Sequence, residues 1–172
     1  MMMPPRLRKF MLTVHVASSV GWLGAIGAYI ALNVPALTST DPQVVRAAYL
    51  MMEPVAWFGV VPMALAALLT GIVQSLGTPW GLLRHYWVVI SLGLTVFATT
   101  ILLLHLPAID SMATVAGDPS ADLGALDGDL FHSVGGLLVL LVPLVLNIYK
   151  PRGLTRYGWR KQQEQRRSGR VA

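Results

Sequence analysis

The sequence of 172 residues contains no cysteine and few charged side chains. Without cysteine the chain cannot form disulfides, thiolate metal sites or a cysteine nucleophile. Charged residues make up 12% of the chain, whereas about 25% is typical of soluble domains. A hydrophobic content of 55% and a mean hydropathy of +0.61 agree with this deficit. The composition therefore predicts a membrane protein of one domain.

The signatures of common enzyme classes are also missing. We find no phosphate-binding loop, no dinucleotide fingerprint and no His-Glu-x-x-His pair. Ser18, Ser19 and Ser133 have no convincing neighbouring base that would indicate a hydrolase. The sequence therefore leaves enzymatic activity open and favours a protein without it.

Four long apolar runs are present, and the third, residues 86–106, carries no charged side chain. Its length matches the roughly 20 residues that a helix needs to cross the hydrocarbon of a bilayer. The other spans are predicted at about residues 11–34, 55–76 and 130–149, with a kink at Pro62. We therefore predict an all-α bundle of four helices, running up-down-up-down, in residues 1–150. The basic tail, residues 151–172, is predicted to be only partly ordered.

Two segments between these spans are less regular in sequence. Asp41-Pro42 is a favourable helix start, so residues 43–53 are predicted to form a short surface helix. The alternative is that they extend the second span, with a break near Pro54. Residues 108–129 are rich in Asp, Gly, Ala and Ser, which predicts an irregular loop.

Charge is sorted sharply between the two sides of the predicted bundle. One side holds twelve basic residues and one acidic residue, Glu164, for a net charge of +11. The other holds seven acidic residues and one basic residue, Arg46, for a net charge of −6. Membrane topology explains this basic excess, so we do not predict nucleic-acid binding. The positive-inside rule predicts that both termini are cytoplasmic. We also predict that the protein lies in the inner (plasma) membrane.

The four histidines each lie at or near the end of a span. The topology places His105 and His132 at the outer level, and His15 and His85 at the inner level. Because paired imidazoles on facing helices can hold haem iron, His105 and His132 are predicted as axial ligands of haem b. Gly135 and Gly136 would leave room for the macrocycle. His15 and His85 would form a second pair, which together with the first would carry electrons across the membrane.

Three other interpretations stay open. The histidines could simply bond to lipid headgroups, water or neighbouring hydroxyl groups, in an accessory subunit without chemistry. Alternatively, His105 and His132 could bind copper with the thioethers of Met51, Met52 and Met112, for copper or small-solute transport. Small residues on the first span would allow close helix packing, within the bundle or in a homodimer: Ala17, Gly21, Gly24 and Ala28.

Three stretches resemble a known group of bacterial membrane proteins. His15 followed by Gly-Trp-Leu-Gly at 21–24 resembles the opening helix of proteins related to the copper-resistance D type. Thr-Pro-Trp-Gly at 78–81 with Arg-His-Tyr-Trp-Val at 84–88 is similar to a turn in an uncharacterised four-span family of that group. Residues 150–158 resemble the tail of its actinobacterial members. The resemblance implies a four-span fold, and it implies His15 as a candidate ligand.

Overall fold

The computed structural model describes residues 3–168, whose regular structure is helical. The described residues form α1 (Pro5–Thr38), α2 (Pro42–Pro54), a π-helical segment (Val55–Val60), α3 (Val61–Leu76), α4 (Tyr86–Gly117), a 3-10 turn (Leu123–Ala125), α5 (Leu130–Tyr149) and α6 (Arg156–Ser168). Four rods are long and apolar enough to cross a membrane: α1, the continuous rod Pro42–Leu76, α4 and α5. The predicted all-α, multi-pass membrane fold is confirmed.

The rod Pro42–Leu76 includes the segment for which two predictions were open. The Asp41 side chain caps α2 by accepting from the Gln43 amide at 2.9 Å. The helix then continues through the π-helical segment into α3. Residues 43–53 therefore extend the second span and do not form a separate surface helix. The reason is packing, because Tyr49 and Met52 of α2 are each only 1% exposed. The break falls at the π-helical segment, which begins directly after Pro54 and ends just before the predicted kink site, Pro62.

Two further rods, α1 and α4, are also longer than the spans that hydropathy predicts. α1 starts at Pro5 and passes through Pro35. α4 passes through Pro107 and ends at Gly117, so the irregular part of the predicted loop is limited to residues 118–129 with its one 3-10 turn. This extension of α4 is helical because Ile109 and Ala116 pack in one core cluster with Tyr49 and Met52 of α2.

The polar side chains of α1 form a stripe that faces inwards, because steps of three and four residues lie on one side of a helix. Ser18, Trp22, Tyr29 and Asn33 are all buried. Near the middle of the bundle, Trp22 and Ile26 pack with Val60, Ala64, Ala67 and Leu140 in a second core cluster. The bundle thus has two ends. We call them the basic end (residues 3–10, the 77–85 turn and residues 150–168) and the acidic end (the 39–41 and 118–129 connections).

The described part of the basic tail, residues 151–168, contains α6 and docks on the turn before α4. The Thr155 amide donates to the Arg84 carbonyl at 3.0 Å, and the Thr155 hydroxyl donates to the Leu83 carbonyl at 2.6 Å. The Tyr86 amide donates to the Gly153 carbonyl at 3.2 Å. These bonds hold the start of α6 against the end of the bundle.

Gly158 makes this docking possible, and its replacement by Ala is expected to release α6. A Cβ at Gly158 would collide with the backbone carbonyl of Arg84, which cannot rotate away as a side chain would. Trypsin cleavage within α6 of the purified protein should accelerate about tenfold, because local opening would cost less free energy. Gly153→Ala is the control, since its Cβ would lie 3.6 Å from the Tyr86 ring, an ordinary contact. Equal cleavage rates for both variants and wild type would refute the docking.

Candidate metal centre

Three side chains from two elements converge at the acidic end. His105 comes from α4, His132 from the first turn of α5, and Asp129 from the residue just before α5. The Oδ1 atom of Asp129 lies 2.7 Å from His105 Nε2 and 3.2 Å from His132 Nδ1. The two imidazole rings are stacked, with 3.9 Å between centroids and 23° between planes. One ligand atom from each residue lies within 4.8 Å of the others.

Asp129 is the buried member of this cluster and is held on several sides. Its side chain is 4% exposed, whereas that of His132 is 48% exposed. The Tyr29 hydroxyl donates to Asp129 Oδ2 at 2.9 Å. The Asn33 side-chain oxygen accepts from the Asp129 amide at 2.9 Å, and the Ser133 hydroxyl donates to the Asp129 carbonyl at 2.7 Å. The carboxylate is therefore fixed in position from α1 and α5.

The position of Asp129 in the chain normally serves another purpose. An Asp at the N-cap of a helix usually accepts a hydrogen bond from an amide of the first turn. Asp129 is the N-cap of α5 but makes no such bond. Its carboxylate turns instead towards the two imidazoles and Tyr29. The Asp129 carboxylate therefore contributes to the three-residue cluster in place of the usual helix cap.

An apolar cavity of about 390 Å³ lies beside the cluster, lined by all three of its residues. Phe97, Ile101 and Leu102 of α4 contribute to its walls. Gly135 and Gly136 of α5 also line it, and a Cβ built at either glycine would have no heavy atom within 4 Å. The space predicted beside His132 is therefore present, but its walls suit an apolar molecule.

The arrangement of His105 and His132 does not fit two axial ligands of one haem. Such ligands approach the iron from opposite faces of the macrocycle. Here the imidazoles are in face-to-face contact and share one carboxylate oxygen, so a flat macrocycle cannot lie between them. The structure brings the predicted pair together, and haem b stays a prediction that this geometry does not favour.

The copper interpretation gains no sulfur ligand from the described residues. Met52 is buried among core residues, and Met112 packs against the same core cluster. Neither of them, nor Met51, lines the cavity that His105, Asp129 and His132 share. The donors that converge are nitrogen and oxygen, a set that suits borderline and harder metal ions rather than copper(I).

The second predicted pair is not assembled in the described part of the chain. His15 Nδ1 lies 3.1 Å from both the Ala67 carbonyl and the Thr70 hydroxyl. His85 Nδ1 lies 2.8 Å from the Trp80 carbonyl, and its ring packs edge-on against Trp80. Between residues 3 and 168 no hydrogen bond or ring contact joins His15 to His85. Each imidazole has its own local partners.

Tyr29 is expected to position the carboxylate, and Tyr29→Phe tests this. The substitution removes the hydroxyl that donates to Asp129 Oδ2 and leaves the buried ring in place. We expect affinity for a metal ion at the cluster to fall by roughly 10-fold to 100-fold, as when hydrogen bonds to metal ligands are removed elsewhere. Titration calorimetry in detergent measures the affinity. Tyr149→Phe is the control, because Tyr149 is 79% exposed; an equal loss in both variants would contradict the assignment.

No family model, curated protein or solved structure matches the chain in comparisons with known proteins. The resemblance to relatives of the copper-resistance D type accordingly stays a prediction.

Proposed function

We propose that this protein binds one divalent transition metal ion, Zn²⁺ or Fe²⁺, at the acidic end of the bundle. His105 Nε2, His132 Nδ1 and a carboxylate oxygen of Asp129 are the ligands. The observation that carries the proposal is the convergence of these three atoms within 4.8 Å of one another. Two imidazoles and one carboxylate are the protein ligands of many catalytic zinc sites and of non-haem iron(II) sites.

Little rearrangement is needed to accept an ion. Metal–ligand bonds of about 2.0–2.2 Å separate the ligand atoms of a tetrahedral ion by a little over 3 Å. His132 Nδ1 and Asp129 Oδ1 are 3.2 Å apart, which is close to this spacing. His105 Nε2 and Asp129 Oδ1, at 2.7 Å, would have to move apart by about half an ångström. Rotation of the two rings about their terminal torsions would direct both nitrogen lone pairs at one point. Tyr29 would continue to fix the second carboxylate oxygen.

Metal storage or sensing fits the structure better than metal transport. A transported cation would have to leave through the basic end, where the second cavity of the bundle is lined by Arg8, Lys9 and Lys150. Like charge opposes that exit. The cavity beside the cluster is also apolar, so it does not replace the water around an ion. We therefore assign the ion to a fixed site.

Metal analysis of the protein purified in neutral detergent tests the proposal. We expect close to one Zn or Fe atom per chain after expression in metal-replete medium, and none in a variant with both His105→Ala and His132→Ala. His85→Ala is the matched control and should keep its metal, because His85 lies at the basic end. A metal-free wild-type protein that takes up neither ion would overturn the proposal in favour of a purely hydrogen-bonded cluster. A reduced-minus-oxidised absorption spectrum of the same sample tests haem b.

Sorted charges support a defined orientation, and cysteine labelling tests it. We propose that both termini are cytoplasmic in the plasma membrane, because the basic end is the one that stays inside. The natural chain has no cysteine, so single variants give clean signals. An impermeant maleimide should label Thr40→Cys, at the acidic end, in intact cells. Gln163→Cys, on α6, should react only after permeabilisation, and the reverse pattern would refute the orientation.

A further inference from the structure

A second cavity, of about 600 Å³, occupies the half of the bundle nearest the basic end. Residues of α1, α3, α4 and α5 all contribute to its walls. Polar side chains such as His15, Ser91 and Asn147 lie among the apolar ones. This cavity is therefore more polar than the one beside His105, Asp129 and His132. The proposed metal site lies outside it.

Unpaired polar atoms point to a missing ligand. Within residues 3–168, the buried side-chain atoms without a hydrogen-bond partner are Trp22 Nε1, Trp87 Nε1 and Gln74 Oε1, and all three residues line this cavity. Trp87 is 6% exposed. Buried polar groups are nearly always paired, so the unpaired atoms of Trp87 and Gln74 are candidates to bond a ligand in this cavity. Trp87 supplies a donor and Gln74 an acceptor, close to the basic end of their helices.

The charged residues of the cavity are all basic. Arg8, Lys9 and Lys150 line it, and no acidic residue does. The Lys150 ammonium group lies 5.6 Å from the centre of the Trp80 ring, a cation–π contact that holds it at this position. Since α4 begins at Tyr86, Trp87 lies at the same level as this end of the bundle. From the basic end inwards, the cavity therefore offers positive charge, then a hydrogen-bond donor and an acceptor, and then apolar walls.

We propose that this cavity binds one anionic phospholipid whose headgroup carries hydroxyl groups, of the phosphatidylglycerol type. Its phosphate lies between Arg8, Lys9 and Lys150. A phosphate or ester oxygen accepts from Trp87 Nε1, and a headgroup hydroxyl donates to Gln74 Oε1. The acyl chains follow the apolar walls, which include Leu12, Leu92 and Leu144. A basic cluster beside membrane spans is the kind of surface that recognises acidic lipid headgroups.

Native mass spectrometry and thermal unfolding of the full chain in neutral maltoside detergent test this inference. We expect one phosphatidylglycerol to be retained per chain, and phosphatidylcholine to be retained only weakly. Added phosphatidylglycerol should raise the melting temperature, whereas inorganic phosphate at the same concentration should not. Equal retention of phosphatidylcholine, or equal stabilisation by inorganic phosphate, would overturn the proposal, the latter by indicating a site for free anions.

Matched variants separate specific binding from general attraction of charge. Trp87→Phe removes the indole N–H and keeps a ring, so phosphatidylglycerol should bind about tenfold more weakly. Trp159→Phe, on exposed α6, should leave binding unchanged. The double variant Arg8→Gln/Lys9→Gln, at exposed positions, should also weaken binding, whereas Arg160→Gln/Arg166→Gln should not. If either variant of the cavity binds the lipid as tightly as its control, the assignment is wrong.

Discussion

Replacing Asp129 by Asn is expected to lower the affinity for Zn²⁺ by roughly 100-fold or more, about 2.7 kcal/mol or greater. Asp129 supplies the only negative charge among the three converging side chains, and its Oδ1 contacts both imidazoles. Asn keeps the size of the side chain but loses the charge that balances a divalent ion. Because Asn is also a good N-cap, the start of α5 should survive. Metal content after purification and titration calorimetry give the result.

The control for this variant is Asp127→Asn, two residues earlier in the chain. Asp127 is exposed and is not part of the cluster of His105, Asp129 and His132. The same change of charge at the acidic end should therefore leave the affinity within about threefold of wild type, since exposed charges are well screened. If Asp127→Asn lost as much affinity as Asp129→Asn, the metal affinity would depend on the total negative charge at the acidic end and not on a ligand at Asp129. Full metal content in Asp129→Asn would reject the ligand assignment.

The second large effect is expected for Arg46→Ala, which should lower the free energy of unfolding by about 2–3 kcal/mol. Arg46 is the one basic residue at the acidic end. Its guanidinium group donates to the carbonyls of Ala116, Asp118 and Pro119, where α4 ends. Ala116 is fully buried, so its carbonyl has little access to water as a substitute partner. The positive charge also suits the negative end of the α4 dipole.

Hydrogen bonds beyond Arg46 keep this helix end in shape. The Ser120 hydroxyl and amide both donate to the Asp118 carboxylate. These bonds hold the pKa of Asp118 below its usual range, so the carboxylate stays charged at neutral pH. Thermal unfolding followed by circular dichroism in detergent measures the effect of Arg46→Ala. Arg160→Ala is the control, because Arg160 is exposed on α6, and it should change stability by less than about 0.5 kcal/mol. Matching losses would show that total charge, not the helix-end contact, sets the stability.

Much of the fold was predictable because the bilayer acts as the solvent for the four spans. Length and apolarity identify the rods, and the burial of Ser18 and Asn33 follows from helical spacing. The extent of α4 beyond Pro107 was not predictable in this way, since it depends on packing against α2. The docking of α6 depends on the contact between Gly158 and Arg84, which are far apart in sequence. Hydropathy carries no information about such pairs.

The candidate site was predictable in part. His105 and His132 were predicted as a pair because they lie at the same depth on consecutive spans. The structure places their rings in contact. Asp129 lies in the segment that the sequence predicts as an irregular loop, although it is buried and contacts both imidazoles. Tyr29 lies on the inward stripe of α1, and its partner, Asp129, is 100 residues away along the chain, so sequence spacing could not pair them. The close spacing of Asp129 and His132, at i and i+3 across a helix start, was the signal that could have included Asp129.

The layer formed by Trp22 and Leu140 has a consequence for the membrane as an electrical barrier. Both side chains line both cavities, and both are more than nine-tenths buried. With Ala64 and Ala67 they close the middle of the bundle with hydrocarbon. A proton or metal ion that crossed this layer, within the described part of the bundle, would exchange water for apolar side chains, which is costly in free energy.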